Sequence, residues 1–408
     1  MKLMFATAAL ALTAFTASAT AQSNAAAQPA APAQAPNVKP SSKAMKPLVE
    51  LQNAIKANDT ANIPAKLAAA QAAATTKEDR YLVAVFQREV AITAGDNAAL
   101  ATAVDALANS GILETDKIGA LYRDLGVKQF NAKQYAQAVA SFQHAATLAP
   151  NDPETLELLA QGMGAAGQGA NAAGAFQKAI QARIAAGQKP TEDIYRRAVS
   201  AAYEAKSPVA VDLAREWASA YPSADSWKNS IAIFRNLKQP DVEGTLDMLR
   251  LMQVTGSLST PGEYALFAES SADQSNYVEA QAVIDAGVTA KVVDPSNPQF
   301  RDIVNGLKGK PKATAADLEA AAKMSPTALN LLRIGDRYYG MGNYSKAAEI
   351  YRQVMSRSDG DKELANLHLG MALARAGDKA GATAALNGVT GARADIAKYW
   401  LVYVQQHG

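Results

Sequence analysis

A chain of 408 residues, 49% hydrophobic, 6% aromatic and 19% charged, is long enough to bury an extensive core, and its heavy use of alanine favours closely packed helices over a sheet-based interior. The 40 Lys and Arg against 38 Asp and Glu, a net of +2, lack the basic excess of a general nucleic-acid binder, so no nucleic-acid partner is expected. No cysteine is present, which excludes disulfides, thiolate nucleophiles, Cys-ligated metals and an acylated cysteine.

Residues 1–21 begin with Lys2, run apolar from Leu3 to about Phe15 and end in the small residues Ala17, Ser18, Ala19, Thr20 and Ala21. This is the layout of a cleavable secretory signal, too short in its apolar part to span a bilayer, and it predicts a soluble mature chain, periplasmic or secreted, without an integral membrane segment. Residues 22–44 mix Pro29, Pro32, Pro36 and Pro40 with Ala and Gln and carry no apolar period, the composition of a disordered linker. Residues 45–114 turn helical: Leu48, Leu51 and Ile55 form one stripe, Tyr81, Ala84, Val85 and Ile92 another, and Asn58-Asp59 and Gly95-Asp96 mark turns. Two helix pairs fit there.

From 115 to 291 the chain repeats itself. Tyr122, Leu125, Gly126, Tyr135, Ala138, Phe142, Ala145 and Pro150 are followed, 34 residues on, by Leu156, Leu159, Ala172, Phe176 and Ala179, with Ala160 in place of the glycine. This order of residue types resembles the tetratricopeptide repeat consensus. Weaker units follow at Ala198, Ala210, Ala214 and Pro222, at Trp227, Ile231 and Phe234, and at Tyr264, Phe267, Ala268, Tyr277, Ala280 and Ile284. Residues 292–316, rich in Pro and Gly, are expected to form an irregular linker and any hinge. In 317–408 the pattern returns with Ile334, Gly335, Tyr338, Gly342, Tyr344, Ala347 and Tyr351, then Leu369, Gly370, Leu373, Gly377, Ala382 and Leu386. Ile396, Tyr399, Trp400, Tyr403 and Val404 read as a last helix capping the array. The resemblance implies an all-α fold, a right-handed α-solenoid of tetratricopeptide-like helix-turn-helix pairs with a C-terminal capping helix.

Motifs for chemistry are sparse. His144, His368 and His407 lie far apart, and no local ligand spacing or nucleophile elbow accompanies them, so no metal, cofactor or catalysis is expected. Gly162-Met163-Gly164-Ala165-Ala166-Gly167 spells G-x-G-x-x-G but follows a helical run where the dinucleotide motif needs a strand. Glu192-Asp193 and Glu114 with Asp116 sit where helices begin and read as caps. Lys308, Lys310 and Lys312 read as a solvated loop.

In tetratricopeptide proteins the first helix of each pair lines a concave groove that takes a peptide or helix. By matched position the resemblance implies groove residues Arg123, Asn131, Tyr195, Arg196, Tyr203, Lys228, Asn229, Arg235, Asn236, Arg333, Asp336 and Tyr339. The carboxylate clamp of chaperone-binding members is not reproduced, since Val127, Gln161 and Val199 stand at one of its positions. The expected function is a non-catalytic scaffold for a protein, peptide or polymer partner in the cell envelope. Its rivals are an envelope enzyme or regulator acting on peptidoglycan or polysaccharide, with Glu263 or Glu269 as a cleft carboxylate, and an oligomer stacked end to end.

Overall fold

The structure is a computed structural model that describes residue 36, residues 38–324 and residues 327–407. The signal segment expected at 1–21, and the linker expected from 22 as far as residue 35, lie outside the described residues. Among the described residues the regular elements are helices, none long and apolar enough to cross a membrane. The chain divides into two compact units, one ending at Gly167 and the other beginning at Gln168. That division falls inside the second matched repeat, not in 292–316 as expected.

The first unit holds α1 (Ser42–Lys56), α2 (Ile63–Ala73), α3 (Lys77–Ala94), α4 (Asn97–Ala108), α5 (Thr115–Asn131), α6 (Tyr135–Leu148) and α7 (Pro153–Ala165). Helix α1 starts inside the proposed linker because Ser41 caps it, its hydroxyl accepting the Ala44 N–H. The same Ser41 donates its own N–H and O–H to the buried Asp79 carboxylate at 2.7 and 2.8 Å. Asp79 also closes a reciprocal capping box with Thr76, so one carboxylate ties the starts of α1 and α3 together.

The second unit begins with α8 (Gly169–Ala185), α9 (Glu192–Glu204), α10 (Val209–Ala220), α11 (Ala224–Lys238), α12 (Val242–Val254), α13 (Pro261–Asp273) and α14 (Tyr277–Thr289). It continues through α15 (Pro298–Leu307), α16 (Ala315–Met324), α17 (Ala328–Gly340), α18 (Tyr344–Ser356), α19 (Lys362–Ala376), α20 (Lys379–Asn387) and α21 (Ala394–His407). The stretch 292–316 is therefore not an irregular linker. Asn297 caps α15 and Pro298 opens it, while Phe300, Leu307 and Leu318 are buried in the unit's core. Apolar side chains at those places outweigh the Pro and Gly content around them.

Pairing follows from one repeated contact. A Cβ added to Gly126 would lie 2.5 Å from the Phe142 ring, one on Gly335 2.5 Å from the Tyr351 ring, and one on Gly370 2.5 Å from Leu386. Each bulky partner stands 16 residues after its glycine, the distance that carries the chain through a short turn and back along the second helix. The turns inside the pairs each use a left-handed residue: Asn58, Gly95 and Lys133 in the first unit, and Lys206, Gln239, Ser275, Gly342 and Gly377 in the second, with φ from 46° to 84°. These turns fold the second helix back antiparallel on the first.

Helix α21 does more than cap the last pair. Besides α19 and α20 it meets α10 and α12. The Tyr399 hydroxyl lies 2.9 Å from Ser230 Oγ and donates to Ser230 O at 3.0 Å, and Gln406 Nε2 donates to Ala218 O at 2.9 Å. Trp400 and Tyr399 are fully buried. The C-terminal helix thus packs onto elements some 170–190 residues earlier in the chain.

Gly126→Ala tests the pairing contact. Alanine gains helix propensity, yet its methyl has no room against Phe142, so we expect a net loss of about 1–3 kcal/mol in urea unfolding of the chain. The loss should shrink when Phe142→Leu is added. Equal losses in the single and double variants would show that the close approach is not what the glycine serves.

Candidate functional site

The twelve residues expected on first-helix faces separate into three groups. In the first unit, Arg123 is turned onto the start of α7, where it pairs with Glu154 at 3.1 Å and Asp152 at 3.5 Å. Asn131 is exposed at the C-terminus of α5. These two form no shared surface feature beyond their helix.

In the second unit, six of the residues lie on α9 and α11, and one contact joins the two helices. Arg196 and Tyr203 are seven residues apart on α9, as are Asn229 and Asn236 on α11, so each couple shares one helix face. Asn236 Nδ2 donates to the Tyr203 hydroxyl at 3.0 Å and joins the two faces. Lys228 donates to the neutral Ser259 hydroxyl at 2.7 Å, and Asn229 to the Asp225 carbonyl at 2.8 Å. Neither Arg196, which is exposed, nor Arg235, which is half-buried, has a side-chain partner among the described residues. Tyr195 does not belong to this face: it is buried with its ring edge-on to Tyr221 at 6.1 Å. It sits beside Ile194 on the side of α9 that packs into the pair.

The third group, on α17, is a correction. Asp336 and Tyr339 were expected at a partner surface but are buried, and Arg333 is half-buried. What covers them comes from several helices of the same unit: Tyr351 of α18 and His368 of α19 on Asp336, Tyr344 of α18 on Tyr339, and α12 on Arg333 and Tyr339. Glu243 of α12 pairs with Arg333 at 2.6 Å, and Arg250 of α12 lies 5.0 Å from the centre of the Tyr339 ring. Residues Leu246 to Met252 of α12 are buried without a break, the mark of a helix enclosed on all sides. The sequence signal was there: Asp247 and Arg250 interrupt an otherwise apolar run, and such residues enter a core only when paired.

Around them lies a cluster of buried charges. Arg250 donates Nε and Nη2 to the two oxygens of Glu279 on α14, both at 2.8 Å, and Nη1 to Asp247 at 3.2 Å. His368 on α19 sits between two carboxylates, with Nδ1 2.8 Å from Asp336 and Nε2 3.2 Å from Asp247. Tyr351 donates to Asp336 at 2.8 Å, and Asn276 donates to Glu279 and to the Asp336 carbonyl, both at 2.9 Å. Burial works against the imidazolium, but the charges of Asp247 and Asp336 outweigh it and push the His368 pKa up to about 10. Burial likewise opposes ionisation of Asp336, yet His368, Arg250 and the Tyr351 hydroxyl hold its carboxyl well below the usual range. With His368 protonated, two cations face three carboxylates inside the core.

No group of three or more His, Cys, Asp and Glu among the described residues is arranged to hold a metal ion. Gly162 and Gly164 lie within α7 and Gly167 follows its end with φ +76°, so a helix precedes the third glycine where the dinucleotide motif needs a strand before the first. Glu263 accepts the N–H groups of Ser259 and Thr260, both at 2.9 Å, as the cap of α13. His144 stacks on Tyr122 at 4.8 Å.

Successive pairs, a small residue meeting a bulky one 16 positions later and a left-handed turn between them decide the architecture. The fold is a tetratricopeptide-like array of helix pairs. No family model matches the sequence, and no curated protein does. Solved structures similar to it include a tetratricopeptide repeat protein from Parabacteroides merdae ATCC 43184, at 11% identity over 80% of this chain and 99% of that one, with a TM-score of 0.27. Another is a chain of Naa15/Naa10 bound to HypK-THB, at 13% identity over 86% of this chain and 58% of that one, with a TM-score of 0.33.

The buried cluster makes stability depend on pH in a defined direction. His368 gains protons on folding relative to its ordinary value of 6.5, so its contribution is complete below about pH 6.5 and is lost as pH rises towards about 10. Asp336 acts oppositely: its contribution is complete above its ordinary value of 3.8 and is lost as pH falls below it. Urea midpoints measured across this range should peak between those limits and decline on the alkaline side. His368→Gln should flatten the alkaline decline, and an unchanged decline would remove His368 as its source.

Proposed function

We propose that this chain is a non-catalytic scaffold that holds a protein or peptide partner in the cell envelope, and that the joined first-helix faces of α9 and α11 are where it does so. The observation that carries this reading is the contrast between two equivalent surfaces. The matched residues of α17 are taken up by α12, α18 and α19, whereas Arg196 on α9 and Arg235 on α11 have no side-chain partners, and Tyr203 and Asn236 join those two helices. Guanidinium and phenol groups are the types that concentrate binding energy, because they join stacking area to directional hydrogen bonds. The envelope location rests on the composition of residues 1–21.

Affinity capture from an envelope extract of the source organism is the test. Arg196→Ala with Arg235→Ala should abolish retention of a saturable partner while leaving helical content by circular dichroism intact. Arg333 is left in place, since its pairing with Glu243 makes its removal a change to the core. Undiminished capture by the double variant would contradict the assigned face, and consumption of a soluble substrate by the chain would contradict the non-catalytic reading.

A further inference from the structure

Helix α14 reaches α17 directly, although α15 and α16 come between them in the chain. A Cβ added to Gly340, the last residue of α17, would lie 2.6 Å from the Glu279 Cβ and 2.8 Å from the Asn276 amide nitrogen. That amide donates to the Asp336 carbonyl at 2.9 Å. The pairs α13–α14 and α17–α18 therefore already stack, and α15 and α16 are an excursion of the chain between two neighbours.

The two excursion helices are held differently. Helix α15 buries Phe300 and Leu307 and lays Ile303 and Val304 against the core. In α16 only Leu318 is buried, with Ala322 half-buried and the other eight side chains exposed. Its one hydrogen bond to α17 runs from the Tyr338 hydroxyl to the Ala315 carbonyl at 3.0 Å, and its cap, Thr314 with Asp317, is local. Between the two helices residues 308–314 are exposed apart from the half-buried Ala313, and Gly309 takes φ +76°. A groove of ≈ 640 Å³ lies against α16, which lines it with Ala321 and Met324, while α17 contributes Asn330, Ile334 and Arg337.

We propose that α16 is a hinged cover on α17, which swings away about residues 308–314 and opens the groove down to Ile334 while α15, α17 and the pairs on either side stay packed. Local opening follows the apolar surface that must be given up. Releasing α16 uncovers one leucine and breaks one hydrogen bond, whereas releasing α17 would uncover Leu331, Leu332, Ile334 and Tyr338 together. A helix of ten residues is too short to persist by itself in water, so α16 also frays once it leaves α17. The array does not depend on it, because α14 remains seated on α17. Ile334, 4% exposed with α16 in place, then becomes the floor of a wider groove. This device is independent of the α9–α11 face.

Hydrogen exchange of the full chain, read by mass spectrometry, tests the cover. Amides of α16 should exchange roughly a hundredfold or more faster than those of α13 and α17. Leu318→Ala should speed α16 further and leave α13 and α17 unchanged. Ala320→Gly, at an exposed position, should speed α16 about fivefold through helix propensity alone, which keeps the test decisive if Leu318→Ala disturbs folding. Amides of α16 protected as strongly as those of α17, or variants that speed α13 and α17 by the same factor as α16, would overturn the proposal.

Discussion

Everything else in this fold depends on how closely the two helices of a pair approach. Where Gly126, Gly335 and Gly370 meet Phe142, Tyr351 and Leu386, a single added methyl would collide, so the backbones are as near as a bulky side chain lying across a bare Cα allows. That contact sets the register of these three hairpins, and the left-handed residue in the turn makes each one close. A hairpin so formed still has an apolar side uncovered. Stacking the next pair covers it, and at the C-terminal end α21 does so with Tyr399 and Trp400 fully buried.

The same need for coverage explains the buried charges. Helix α12 is the second helix of its pair, yet it is enclosed on all sides and reaches the first helices α17, through Glu243 and the Arg250–Tyr339 ring contact, and α19, through Asp247. Desolvating five ionisable groups is costly, and such clusters are tolerated only when each charge finds a partner of good geometry. The bidentate Arg250–Glu279 pair meets that condition, while His368 lies at ion-pair distance from Asp336 and Asp247 without a well-aligned hydrogen bond to either. These contacts also restrict where α12 can sit, since a shift of one turn would leave Asp336 and Asp247 without counter-charges. Removing one member of such a cluster characteristically costs about 3–5 kcal/mol.

The helix pairs themselves were legible in the residues. Small and bulky side chains at a fixed interval announced them: the stripes of 45–114 lie on α1 and α3, the weak units on α9, α10, α11, α13 and α14, and the C-terminal pattern on α17 to α20, while α2, α4 and α12 had no stripe of their own. What pattern matching could not supply is which faces meet across long separations. Asp336 and Tyr339 occupy positions matched to a groove, but whether such a position faces solvent depends on Glu243 and Arg250, some 90 residues earlier. Likewise Trp400 and Tyr399 read correctly as covering residues, while their contact with Ser230 and Ala218 on α11 and α10 has no local signal. The stretch 292–316 misled for the opposite reason, because Pro and Gly describe its turns while Phe300 and Leu307 decide its core contacts.

Function in this account turns on which first-helix surfaces the chain uses for itself and which it leaves. Helix α12, with α18 and α19, takes up the matched residues of α17, and the α9–α11 face stays open. The absence of cysteine from the chain makes a direct check simple: nitroxide labels on cysteines placed at Val242 of α12 and Leu329 of α17, which are 58% and 59% exposed, report the distance between the two helices by pulsed electron spin resonance. A single narrow distribution, unchanged when an envelope extract is added, is the result predicted if α12 belongs permanently to the core. A broad or two-peaked distribution, or one that shifts on adding the extract, would mean that α12 leaves the α17 face and that this face, too, is open to a partner.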